Sequence, residues 1–144
     1  AWQATRDLQI KVDAWCKDKT SAGNRYGDIA SWDVSEVEDF SYLFSNKASC
    51  NPDISMWNVG KATNMRYMFE QASSFNADIS EWDTSKVTDM AAMFDGAGSF
   101  NQDISKWDTR NVNTMEAMFL EAIAFDQDLS SWNVAKVANM DESE

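Results

Sequence analysis

The chain has 144 residues, 44% hydrophobic and 12% aromatic, which is enough apolar area for one folded core and too much for a disordered segment. Twelve basic residues against 24 acidic ones give a net charge of −12, a field that repels nucleic acid and anionic membrane surfaces. Histidine is absent, which removes the commonest general base, the usual partner of Ser or Cys nucleophiles and the commonest zinc ligand.

No stretch approaches the roughly 20 apolar residues of a membrane-spanning helix, so direct membrane insertion is not expected. The chain opens at Ala1-Trp2-Gln3-Ala4, without the basic and apolar runs of a signal peptide. Either a targeting segment has been removed or the chain is an excised piece. The first predicted element is an amphipathic helix over Thr5–Lys19. Leu8, Val12, Trp15 and Cys16 fall at i, i+4, i+7 and i+8, and Thr5 suits its N-cap. With a loop at Thr20–Asn24 it forms an N-terminal cap over residues 1–25.

From residue 26 a 25-residue period takes over. Trp32, Trp57, Trp82, Trp107 and Trp132 recur at that spacing, preceded by Ile29, Ile54, Ile79, Ile104 and Leu129. Val37, Ala62, Val87, Val112 and Val137 follow, then Phe40, Met65, Met90, Met115 and Met140, and then Phe44, Phe69, Phe94 and Phe119. Within one unit Val87, Met90, Met93, Phe94 and Ala97 lie at i, i+3, i+6, i+7 and i+10, the stripe of a short helix. Ile79-x-x-Trp82-x-Thr84, and Ile54-x-x-Trp57-x-Val59 before it, read instead as a short strand in the L-x-x-L-x-L manner. The expected fold is therefore an α/β repeat solenoid over 26–144, leucine-rich-repeat-like, with five short parallel strands each followed by a short helix. Stacking turns each column into a core ladder, worth roughly 1.5–3 kcal/mol per large side chain buried. The spacing places Trp inward and disfavours an exposed sugar-stacking row.

Cys50 stands where later units carry Phe75, Phe100 and Phe125, so it should point inward near the cap. A disulfide with Cys16 is expected, the alternative being two separate buried thiols. The bond would suit an oxidising compartment. At the other end the fifth unit reaches Met140 and stops at Asp141-Glu142-Ser143-Glu144. Further chain or a partner is expected to cover that end.

Two polar columns accompany the core: Asp28, Asp53, Asp78, Asp103 and Asp128, and Asp33, Asn58, Asp83, Asp108 and Asn133. They could be a row of Ca²⁺ sites, but isolated acids in each unit fit better as acceptors of backbone N–H groups at turns. No metal and no cofactor is expected. Recognition suits positions where the copies differ, and those beside the expected strand do: Met56, Glu81 and Lys106 just before Trp, and Arg110 after the strand. With Asp83 and Asp108 these are the candidate binding residues, facing outward along the expected sheet.

The unit F-N-x-D-I-S-x-W-D-x-S-x-V-x-x-M-x-x-M-F-x-x-A, best seen at Phe75–Ala97 and Phe100–Ala122, resembles the BspA-like leucine-rich-repeat surface-protein family. The resemblance covers roughly residues 26–140 and implies a right-handed coil, an extracellular or cell-surface location and a part in adhesion. The expected function is a non-catalytic interaction module binding a protein or glycan partner. The alternative is a structural spacer or accessory subunit docked in a larger assembly. A glycan hydrolase using paired carboxylates is disfavoured, because acids repeated in every unit match a single dyad poorly.

Overall fold

The computed structural model describes residues 2–138. Helix α1 (Trp2–Lys17) buries Leu8 and Val12 against the first repeat. It ends at Asp18, whose carboxylate accepts the Ser21 N–H and so starts α2 (Lys19–Tyr26). The helix expected over Thr5–Lys19 thus begins earlier and is cut at Asp18. The segment Thr20–Asn24, expected as a loop, lies inside α2. Gly27, at φ 81°, closes α2 by donating its N–H to the Gly23 carbonyl.

The expected α/β solenoid with five parallel strands does not form. Beyond α2 the described residues contain one 3₁₀ turn, Ile29–Ser31, and no further helix or strand. The regular pairings are three isolated parallel bridges, Asp39 with Asn64, Asn64 with Asp89, and Asp89 with Thr114. Units of 25 residues are built instead from successive tight turns.

Backbone hydrogen bonding gives the reason. From Met65 to Ala72 every N–H has a partner, and the partners alternate. Met65, Tyr67, Phe69 and Gln71 donate to the carbonyls of Asp89, Ala91, Met93 and Asp95 in the next unit, at 2.7–3.0 Å. Met68, Glu70 and Ala72 donate three residues back, to Met65, Tyr67 and Phe69. Arg66 donates to the Asn64 side chain. An α-helix would need all of these donors locally; here half of them tie one unit to its neighbour. The turns closed by Met68 and Ala72 have positive φ at their third residues, Tyr67 and Gln71, and so do the equivalent Tyr42, Asn46, Ala92, Gly96, Ala117 and Glu121. The apolar stripe Val87–Ala97 therefore marks the inner side of a turn-built segment and not a helix face.

The core follows the columns read from the sequence. Phe44, Phe69, Phe94 and Phe119 stack with centroids 5.4, 5.5 and 5.6 Å apart. Trp82, Trp107 and Trp132 stack at 6.3 Å. Each indole also donates across the units: Trp57 to the Ile29 carbonyl, Trp82 to Ile54, Trp107 to Ile79 and Trp132 to Ile104, at 2.9–3.1 Å. These bonds satisfy the one polar atom of a buried indole and fix the order of stacking.

The cap meets the first unit along one face of α1. Gln9 Nε2 donates to the Leu43 carbonyl at 3.0 Å, Asp13 pairs with Lys47 at 2.9 Å, and Cys16 is disulfide-bonded to Cys50. In later units the carbonyls equivalent to Leu43 (Met68, Met93 and Met118) accept the N–H of Phe44, Phe69 and Phe94. Gln9 thus supplies the donor that a preceding unit would have supplied. Trp15 packs edge-on against Trp32, with centroids 5.8 Å apart. Met140 and the acidic Asp141–Glu144 tail lie outside the described residues.

Candidate functional site

The segment expected as a strand is two turns in succession. Trp82 N–H closes the first on the Ile79 carbonyl, with Ser80 and Glu81 at its corner, and Val87 N–H closes the second on Thr84, with Ser85 and Lys86 at its corner. Met56, Glu81 and Lys106 occupy one equivalent first-corner position in three consecutive units. All three are exposed, Met56 by 81%. Arg110 occupies the second corner of its unit. The candidate binding residues therefore stand on a ridge of corners and not on a sheet face.

Both polar columns hold those corners in shape. Asp53 and Asp78 accept the N–H of Ser55 and Ser80, and Asp103 and Asp128 that of Ser105 and Ser130. In the second column Asp33, Asn58, Asp83, Asp108 and Asn133 each accept the N–H two residues on. This is the Asx-turn use of these residues. The Ser55 hydroxyl, 2.7 Å from Asp53, and the Ser35 hydroxyl, 2.6 Å from Asp33, hold both carboxyls below the ordinary aspartate value, helped by the serine N–H groups. Among the described residues no group of three or more Asp, Glu or Cys side chains could hold a metal ion.

The structure brings Asp83, Asp108 and Arg110 together. Arg110 Nε is 3.3 Å from Asp108 Oδ2. Asp83 is held low first by the Ser85 hydroxyl and N–H, and then by the charges of Lys86 and Arg110. Met56, Glu81 and Lys106 form a separate line, since the extended Trp-x-Thr segment separates the two corners.

Three further features escaped the sequence reading. A third turn-holding column, Asp39, Asn64 and Asp89, accepts the N–H of Ser41, Arg66 and Ala91; its 25-residue spacing was there to be seen. An asparagine ladder links units directly, with Asn51 accepting from Asn76 N–H, Asn76 from Asn101 and Asn101 from Asp126, at 2.8–2.9 Å. The third is a stacked pair, the exposed Tyr42 on the half-buried Tyr67, with centroids 4.9 Å apart and planes 4° apart. Only two of the units carry it, so periodicity gave no signal. Two clefts, of about 420 and 500 Å³, lie at the junction of cap and first unit around Cys16 and Cys50, and a smaller one of about 200 Å³ lies between Leu8, Lys11 and Trp32.

The class is thus a repeat protein whose units share backbone and core and differ at exposed corners. The chain belongs to the family described as "Mycoplasma protein of unknown function, DUF285", which matches residues 19–91 and again 76–143. No curated protein matches the chain, and no solved structure does. Among the described residues no helix is long and apolar enough to cross a membrane.

Proposed function

We propose that the chain is a non-catalytic interaction module of a BspA-like, extracellular surface protein, binding a protein partner along its ridge of corners. One observation carries this reading. The corner backbone is the same in each unit, held by the same Asx turns, while its outermost side chain changes from Met56 to Glu81 to Lys106. A turn needs none of those three side chains. A large exposed Met and charges of both signs suit a protein interface better than a purely solvated ridge. The Cys16–Cys50 disulfide supports an oxidising compartment.

The test compares the chain with a Glu81→Ala/Lys106→Ala/Arg110→Ala form in pull-downs from cell-surface extract, followed by direct titration of the captured protein. Loss of binding with unchanged thermal unfolding supports recognition by the corners. Equal capture by both forms, or capture by neither, removes the ridge as a binding surface and favours a spacer.

A further inference from the structure

The pair Tyr42 and Tyr67 occupies a position that the fold fills more simply elsewhere. The equivalent residues are Ala92 and Ala117, and all four share the same turn, with φ between 53° and 62°. Tyr42 is 49% exposed, so its ring adds little to the core. Both turns are fixed by backbone bonds: Tyr42 and Tyr67 donate to the carbonyls of Arg66 and Ala91 at 3.0 Å, and Leu43 and Met68 close the turns on Phe40 and Met65. The rings are presented on rigid backbone, which lowers the entropy lost when a ligand docks.

The neighbours narrow the ligand. The Arg66 guanidinium lies over the Tyr67 ring, 5.2 Å from its centroid. It also lies 3.5 Å from Asp89 Oδ2, while Asp89 Oδ1 accepts the Ala91 N–H. Arg66 thus covers a face of the Tyr67 ring, and its charge, which also reaches the Tyr42 hydroxyl, repels a second cation from the open face of Tyr42. An anionic ligand would meet a guanidinium paired with a carboxylate, on a chain of net charge −12. A neutral ring with polarised C–H bonds on one face and hydroxyls at its rim meets neither obstacle. It can stack on Tyr42, and its hydroxyls can pair with the guanidinium N–H groups and the phenolic hydroxyls.

We propose that Tyr42 and Tyr67, flanked by Arg66 and Asp89, form a stacking platform for a neutral glycan. The site lies on the turn segment after Phe40, apart from the corners that carry Met56, Glu81 and Lys106, and it stands independently of the protein-binding reading of those corners.

The experiment titrates the whole chain, by calorimetry, with neutral hexasaccharides of glucose, N-acetylglucosamine and mannose, and with an acidic heparin fragment and a lysine hexapeptide as charged probes. Tyr42→Ala and Tyr67→Ala are the test variants. Alanine is the residue that the third and fourth units already carry at this position, so both should keep the wild-type unfolding temperature. Glu81→Ala serves as a control on the corner ridge. The expected result is saturable binding of at least one neutral saccharide that is insensitive to added salt. Each tyrosine variant should weaken it about tenfold, and Glu81→Ala should leave it unchanged. Three results would overturn the proposal: no neutral saccharide bound, binding kept when both tyrosines are removed, or binding of a charged probe alone.

Discussion

Breaking the Cys16–Cys50 bond should cost the fold a large part of its stability. The two cysteines are 34 residues apart in sequence. Closing a loop of that size in the unfolded chain corresponds to about 4 kcal/mol on the chain-entropy account, against a total of roughly 5–15 kcal/mol for a typical domain. The burial of Leu8 and Val12 and the Trp15–Trp32 contact are the same with or without the bond, and the polar contacts of α1 do not replace it. Asp13 of the Asp13–Lys47 pair is 55% exposed and so contributes little, and Gln9 offers one neutral hydrogen bond. At roughly 2–4 °C per kcal/mol for a chain of this size, the unfolding midpoint should drop by about 10 °C. The assay is thermal unfolding followed by tryptophan fluorescence, with the oxidised chain compared against the chain in reductant and against Cys16→Ser/Cys50→Ser. Cys50 is buried, so serine there adds a small penalty of its own that reduction does not. A midpoint shift below about 2 °C in reductant would refute the reasoning, since loop closure would then not be what the bond supplies.

Other perturbations follow from the turns. Asp33 and Asp53, held low by serine hydroxyls and N–H groups, stabilise the fold above the unfolded value of about 4 and lose that contribution as pH falls through their lower folded values. Urea midpoints should therefore fall on the acid side, and Ser35→Ala/Ser55→Ala should shrink that fall. Asp95 has the opposite sign, its pKa raised by burial and then by Glu70 and Glu121. Asp95→Asn should raise the urea midpoint at neutral pH, with the gain fading below about pH 4, where the unfolded carboxyl is protonated as well. Gly96 has φ 74°, and a Cβ there would run into the Gln71 side-chain amide. Gly96→Ala should cost about 1 kcal/mol or more in urea unfolding, and Gln71→Ala in the same chain should recover part of it.

The core was legible in the sequence because burial imposes its own period. The columns at Trp32, Phe44 and Val37 recur every 25 residues whatever the backbone between them does, and each is buried through the first four units. Secondary structure was not legible from the same columns. Val87, Met90, Met93, Phe94 and Ala97 have a helical stripe, yet a chain of turns that keeps one side inward yields nearly the same spacing. The polar residues carried the better signal. Asp or Asn immediately before each turn, at Asp78, Asp83 and Asp89, is turn chemistry repeated three times in that unit. The candidate residues Met56, Glu81, Lys106 and Arg110 were found as the variable ones, but their grouping depended on the strand that does not form. Tyr42 and Tyr67 escaped because a search for what repeats passes over what occurs twice.

The choice between helix and turns is settled by the neighbours and not within the segment. A helix of eight or nine residues is marginal alone, because few of its bonds offset the ordering of its first turn. The observed turns would be worse alone, since Met65, Tyr67, Phe69 and Gln71 would lose their acceptors at Asp89, Ala91, Met93 and Asp95. They win once a second unit is present, because every added unit supplies four acceptors, another Phe for the stack and a carbonyl for the next indole. Stability then grows with the number of adjacent units and is weakest where one side is uncovered. That places the burden on the first unit, whose outer side has the cap and no repeat, and it explains why Gln9, Asp13 and Cys16 all reach from one helix face to Leu43, Lys47 and Cys50.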